Sequence, residues 1–109
     1  MLAFKYPLGY SKIMRYEIKQ TEIFETWLNS KKIRSFKGRI LARFERIKKG
    51  NFGDHKPLST DLFELRFTFG DGIRVYYTII NNSDVITLVG GTKSTQSKDI
   101  KKATKMIKE

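Results

Sequence analysis

Apolar and polar residues alternate from 62 to 69 and again from 73 to 80. Phe63, Leu65, Phe67 and Phe69 are interleaved with Glu64, Arg66 and Thr68, and Ile73, Val75, Tyr77 and Ile79 with Arg74, Tyr76 and Thr78. A period of two predicts a pair of strands with one buried face, and the intervening Gly70, Asp71 and Gly72 predict an antiparallel hairpin. A two-residue loop would set Arg74 on the face of Phe67. A three-residue loop over 70–72 instead gathers the apolar side chains of both strands on one side. That register predicts Arg66 opposite Tyr76 and Arg74 opposite Thr68, with Gly72 as the left-handed loop residue.

The rest of the chain is equally patterned. Residues 15–20 alternate and predict a short first strand. Thr21 then stands where a helix cap belongs, before an apolar stripe of Ile23, Phe24, Trp27 and Leu28. Ile33, Phe36, Ile40, Leu41, Phe44 and Ile47 recur at helical spacing and predict one amphipathic helix over 31–49, stopped by Gly50 and Asn51. Trp27 and this second stripe are read as core. Residues 50–61 are rich in turn formers, with a brief edge strand expected around 56–59, where Pro57 disfavours a central position. After a turn at 81–84, the nearly unbroken apolar run 85–89 predicts an inner strand. A last helix over 95–108 presents Ile100, Ala103 and Ile107 on one side. The order β-α-α-(β)-β-β-β-α predicts an α+β domain: two N-terminal helices packed on a mostly antiparallel sheet of four to five strands, followed by a C-terminal helix. The opposite sheet face is expected to be open and cationic. Residues 14–109 are read as this single domain and residues 1–13 as a flexible extension. In that extension Lys5, Pro7 and Gly9 break the pattern of a signal peptide.

Charge changes the picture most. The chain holds 22 Lys and Arg against 11 Asp and Glu, a net charge of +11 on 109 residues. Such a surplus repels itself unless a polyanion or an acidic protein covers it, and phosphate backbones are the commonest polyanion. The segment 31–49 alone carries nine cations against Glu45. The absence of cysteine and the single histidine, His55, argue against a zinc centre, so no metal or other cofactor is expected. No run approaches the roughly 20 apolar residues of a membrane span, and a cytoplasmic protein with no membrane partner is expected.

The candidate chemistry lies on the polar side of the hairpin. Arg66, Arg74 and Tyr76 converge there, Lys93 follows the last strand, and His55 and Lys56 approach from the preceding loop. RNA cleavage through the 2′-hydroxyl needs a base, cations to stabilise the phosphorane, and an acid for the leaving 5′-oxygen. Arg66 and Arg74 suit the phosphate, because guanidinium binds it in a bidentate, charge-assisted manner. Lys93 or His55 is then the candidate for moving a proton. Duller readings stand beside these. His55 can be a dispensable turn residue, Tyr76 can either pack on Arg66 or stack on a base, and Lys93 can simply satisfy loop carbonyls. Arg39, Arg43 and Arg46 are read as contacts to phosphate or to an acidic partner.

Several segments carry a family resemblance: Glu64, Leu65 and Arg66; the run from Gly72 through Arg74, Val75 and Tyr76 to Tyr77; and the run from Gly90 through Thr92, Lys93 and Thr95 to Gln96. They are joined by Lys98, Asp99 and Ile100, by the helix start from Phe24 to Leu28, and by the loop from Gly50 to Asp54. In this order they resemble the RelE/ParE toxin superfamily, and within it the HigB-like group of addiction-module killer proteins. The resemblance spans about residues 14–108. It implies a microbial-ribonuclease-like fold and a metal-independent, ribosome-dependent mRNA endonuclease, the toxin of a type II toxin–antitoxin system. It further implies neutralisation by a helix-turn-helix antitoxin, with operator DNA bound only through the complex. Arg66, Arg74 and Lys93 match the family's basic site residues, and Lys56, Tyr76 and Gln96 join them as candidate RNA contacts. The pattern departs where a second cation and a tyrosine are usual, since Ser94 and Ile100 stand there. ParE-like members share the fold but poison DNA gyrase without cutting RNA, and a plain RNA-binding module is the remaining alternative.

Overall fold

In the computed structural model, which describes residues 15–109, the alternating segments form the strands of one sheet. The extension expected over 1–13 lies outside the described residues. Strand β1 is Glu17–Gln20, β2 His55–Pro57, β3 Phe63–Arg66, β4 Ile73–Ile80 and β5 Asp84–Thr92. Their spatial order is β1-β5-β4-β3-β2, with β1 parallel to β5 and every other neighbour antiparallel. The helices are α1, Glu22–Leu28, α2, Lys37–Lys48, and α3, Gln96–Lys108. The protein is therefore α+β, with a mixed five-stranded sheet and three helices.

Local chemistry explains most boundaries. Thr21 caps α1 by accepting the backbone N–H of Phe24 at 3.1 Å, while its own hydroxyl donates to Leu88 O at 3.0 Å. One side chain thus starts the helix and ties it to β5. The expected helix over 31–49 begins six residues later than its apolar pattern suggests. Ser30 O accepts from both Ile33 and Arg34, Ile33 O accepts from Phe36, and residues Arg34–Phe36 wind as a tight 3-10 turn. That turn delivers Phe36 to a stack on Phe69, with ring centroids 5.4 Å apart.

The hairpin keeps the expected faces but not the expected partners. Arg66 pairs with Arg74 and Glu64 with Tyr76, two residues from the predicted register. Phe67 N–H closes the ladder on Ile73 O, so Thr68 and Phe69 belong to the loop. Gly70, Asp71 and Gly72 all take positive φ (60°, 59° and 78°). A shift of two preserves parity, which is why the apolar set still points inward.

Two apolar layers flank the sheet. Phe24 and Leu28 of α1, with Ile40, Phe44 and Ile47 of α2, pack on Leu65, Val75, Tyr77 and Val85. On the other side Ala103 of α3 packs with Leu62, Tyr76, Leu88 and Val89, assisted by Ile100, Met106 and Ile107. Tyr77 pairs with Thr87 and Tyr76 with Val89, so Leu88 is an extra residue that bulges toward α3. The face expected to be open is thus largely roofed by α3, and the run 85–89 of β5 is nearly all apolar because both of its sides are covered. Trp27, read as core, is half-buried at the rim and lies over Gly90, while Ile23 is 41% exposed. Gly91 takes the opposite side, where a Cβ would collide with the Asp99 carboxylate.

Candidate active site

Cross-strand neighbours share a face, so the pairing decides which of the candidate residues meet. Lys56 pairs with Glu64, Glu64 with Tyr76, Arg66 with Arg74, and Arg74 with Gly91. These positions all lie on the α3 side, and Arg66 and Arg74 form a direct cationic pair. Arg66 is partly exposed and Arg74 only 12% exposed along its side chain. Arg66 Nε lies 3.3 Å from Asp54 Oδ1. Arg74 Nη1 donates to Ile73 O at 3.2 Å, and its Nε stands 4.0 Å from Glu64 Oε2.

Lys93 reaches the same place through the backbone. Its N–H donates to Gly72 O at 2.8 Å, and a Cβ on Gly72 would sit 3.2 Å from Lys93 Cβ and 3.3 Å from Arg74 Nη1. Glycine at 72 therefore serves both the left-handed turn and the close approach of two cationic residues. Lys93 itself is exposed.

Other candidates are not brought to this pair. His55 pairs with Leu65, which puts it on the α2 side, where its ring lies 5.6 Å from that of Phe52 and its Nδ1 is 2.9 Å from Gly53 O. The edge strand begins one residue earlier than expected, and of the two residues expected beside the arginines it leaves Lys56 on their face and turns His55 to the other. Tyr76 is 0% exposed, so it stacks on no base. Gln96, half-buried at the start of α3, donates its amide to Glu64 Oε2 at 2.8 Å. Arg39 and Arg46 are exposed on α2, behind the sheet, and Arg39 lies over the Phe69 ring at 4.2 Å.

Arg43 departs furthest from its expected role. It is 8% exposed, and its guanidinium donates to three carbonyls: Phe52 O at 2.9 Å, Asp54 O at 2.8 Å and Arg66 O at 3.2 Å. It also lies over the Phe67 ring. Burial, and then the neighbouring Arg46, hold its pKa below the ordinary arginine value. Arg43 is therefore a clamp that fixes the Asp54 loop to the strand bearing Arg66. Sequence reading missed this clamp, and it also missed Glu64 and Asp54 as partners of the arginines.

The two adjacent tyrosines make the fold alkali-sensitive. Burial pushes both phenols well above the usual tyrosine range; for Tyr76 the Glu64 carboxylate adds to the effect, and for Tyr77 the neighbouring Tyr16. A raised folded pKa means that the native state keeps its protons longer than the unfolded chain does. The stabilisation is complete below the unfolded phenol value of about 10 and is lost as pH rises above it. Ultraviolet titration should therefore reveal two phenols that ionise only as the protein unfolds. Their ionisation at ordinary pH in the native state would contradict this burial.

Among the described residues, no group of three or more His, Asp or Glu side chains is placed to share a metal ion, and no helix is long and apolar enough to cross a membrane. No family model matches the chain, and no solved structure matches it at a significant level. An uncharacterized protein of Haemophilus influenzae is 46% identical over 96 residues, covering 88% of this chain and 97% of its own length. At that identity and coverage the chain belongs to the same family as the Haemophilus influenzae protein.

Proposed function

We propose that the protein is a metal-independent endoribonuclease that cuts mRNA on the ribosome, the toxin of a type II toxin–antitoxin pair acting in the cytoplasm. The observation that carries this reading is the Arg66–Arg74 pair, opposed on adjacent strands and flanked by Lys56 and Lys93. Two guanidinium groups at cross-strand spacing suit one phosphodiester, with charge-assisted donors aimed where negative charge grows in the phosphorane. A base removes the 2′-hydroxyl proton, the 2′-oxygen bonds to phosphorus, and the bond to the 5′-oxygen breaks as that oxygen gains a proton. With His55 on the other face, Lys56 and Lys93 are the residues we assign to proton movement. The order of helices and strands fits a RelE-like, microbial-ribonuclease-like fold, and we read the architecture as that fold. A helix-turn-helix antitoxin is the neutralising partner in this reading, and the complex as a whole is what would contact operator DNA.

Inducible expression in a bacterial host tests the proposal. The expected result is growth arrest with new 5′ ends inside translated mRNAs and unchanged plasmid supercoiling. Arrest with intact mRNA and relaxed plasmids would instead support a gyrase inhibitor, and no effect on growth would leave a plain RNA-binding module.

A further inference from the structure

Among the described residues, two buried side-chain polar atoms have no hydrogen-bond partner: Arg74 Nε and the Tyr76 hydroxyl. Both belong to neighbours of Glu64, whose side chain is 2% exposed. A buried guanidinium N–H without an acceptor is unusual, because leaving it unpaired forfeits a strong charge-assisted bond. The reason lies in one atom. Glu64 Oε2 accepts the Gln96 amide at 2.8 Å, and the same Oε2 is the atom that Arg74 Nε faces at 4.0 Å. The Gln96 amide anchors that oxygen at the start of α3, beyond hydrogen-bond reach of Arg74 Nε.

We infer that Glu64 and Gln96 are positioning residues that hold the Arg74 guanidinium near its carboxylate but disengaged from it, available to a phosphate. This rests on the proposed phosphodiester site and adds to it a control on its less exposed arginine. Arg74 Nη1 is tied to the backbone carbonyls of Ile73 at 3.2 Å and Phe67 at 3.5 Å, and Glu64 is the carboxylate that its Nε faces. Without Gln96 the carboxylate is free to close on Arg74 and compete with phosphate for it. Because Gln96 is the first residue of α3, the seating of that helix and the availability of Arg74 are linked. Neither Glu64 nor Gln96 needs to touch RNA for this role.

The two residues therefore have opposite effects, which a merely structural role would not produce. The test follows the Arg74 Nε–H resonance in 15N-labelled full-length protein, titrated with inorganic phosphate. In Gln96→Ala this resonance should move toward a hydrogen-bonded position and exchange more slowly, and phosphate binding should weaken about tenfold, the size of one lost hydrogen bond. In Glu64→Gln, which is isosteric and neutral, phosphate binding should strengthen by a comparable factor. Combining Glu64→Gln with Gln96→Ala should abolish the Gln96→Ala weakening. An Arg74 resonance indifferent to Gln96→Ala, or a weakening that persists in the double variant, would overturn the inference. Failure of phosphate to perturb Arg74 in the unaltered protein would instead sink the phosphodiester-site reading, while the resonance shift in Gln96→Ala would still report the positioning.

Discussion

Replacing Arg66 and Arg74 together with alanine is expected to slow RNA cleavage by at least about ten-thousand-fold. Removing one donor to a developing oxyanion typically costs about 10²–10³ in rate, and the losses of two donors to different oxygens of the phosphorane multiply. The single variants should separate chemistry from folding. Arg66 makes a partly exposed pair with Asp54, and such pairs contribute only about 0–1 kcal/mol. Arg66→Ala should therefore lose most activity with nearly unchanged Tm. Arg74 is different, because its loss removes the guanidinium that the buried Glu64 carboxylate faces. Arg74→Ala should lower Tm as well, and adding Glu64→Gln should restore stability without restoring cleavage. Single-turnover cleavage rates, read beside thermal unfolding of the same preparations, check each part. Cleavage that survives in the double variant would remove the arginines from the chemistry.

The largest stability effect is expected at Arg43. Arg43→Ala would take a donor from three carbonyls, of which Asp54 O keeps the Arg66 N–H at 2.9 Å, and open a space against Phe67. Each unsatisfied buried group costs about 1–3 kcal/mol, partly relieved where water enters, so a total loss of about 3–5 kcal/mol is expected. That is a large fraction of the stability of a domain this size. Arg43→Lys should rescue little, because one ammonium on a flexible stem cannot reproduce a planar fork that serves three acceptors. Urea unfolding measures the loss, and hydrogen exchange should show the segment 51–55 released first. A loss below about 1 kcal/mol would mean that the loop is held by other contacts.

Much of this architecture could be read from the chain, and what could not depended on tertiary contacts. Alternation over 62–80 predicts both hairpin strands and their inward faces because side-chain parity is a local property. Register is not local: Thr68 and Phe69 leave the ladder for a loop in which Phe69 O accepts from Gly72 and Ile73 and the Phe69 ring stacks on Phe36 from a distant turn. The apolar stripe of α3 was visible in Ile100, Ala103 and Ile107, but nothing in the sequence says which surface it covers. It covers Tyr76 and Val89, and so it buries a face that the alternation pattern marks as polar.

The site divides in the same way. Arg66 and Arg74 followed from alternation and resemblance, and Lys93 from its place after the last strand. That only Lys56 of the pair His55 and Lys56 shares the arginine face turned on an edge strand of three residues, too short for its parity to be read from sequence. Arg43 did carry a signal. It stands three residues after Ile40 and four before Ile47, in phase with the buried stripe and out of phase with the cations around it. Read by position and not by charge, it belonged to the interior. Glu64 carried a weaker mark as a carboxylate among cations on one strand face, and its burial depended on the unpredicted seating of α3.

The most direct measurement is a purified translation system to which the protein is added, with mRNA 5′ ends mapped by primer extension in the presence and absence of ribosomes. The account predicts discrete cuts that need ribosomes and that vanish with the Arg66→Ala, Arg74→Ala double variant. Intact mRNA and unimpaired translation at saturating protein would contradict it.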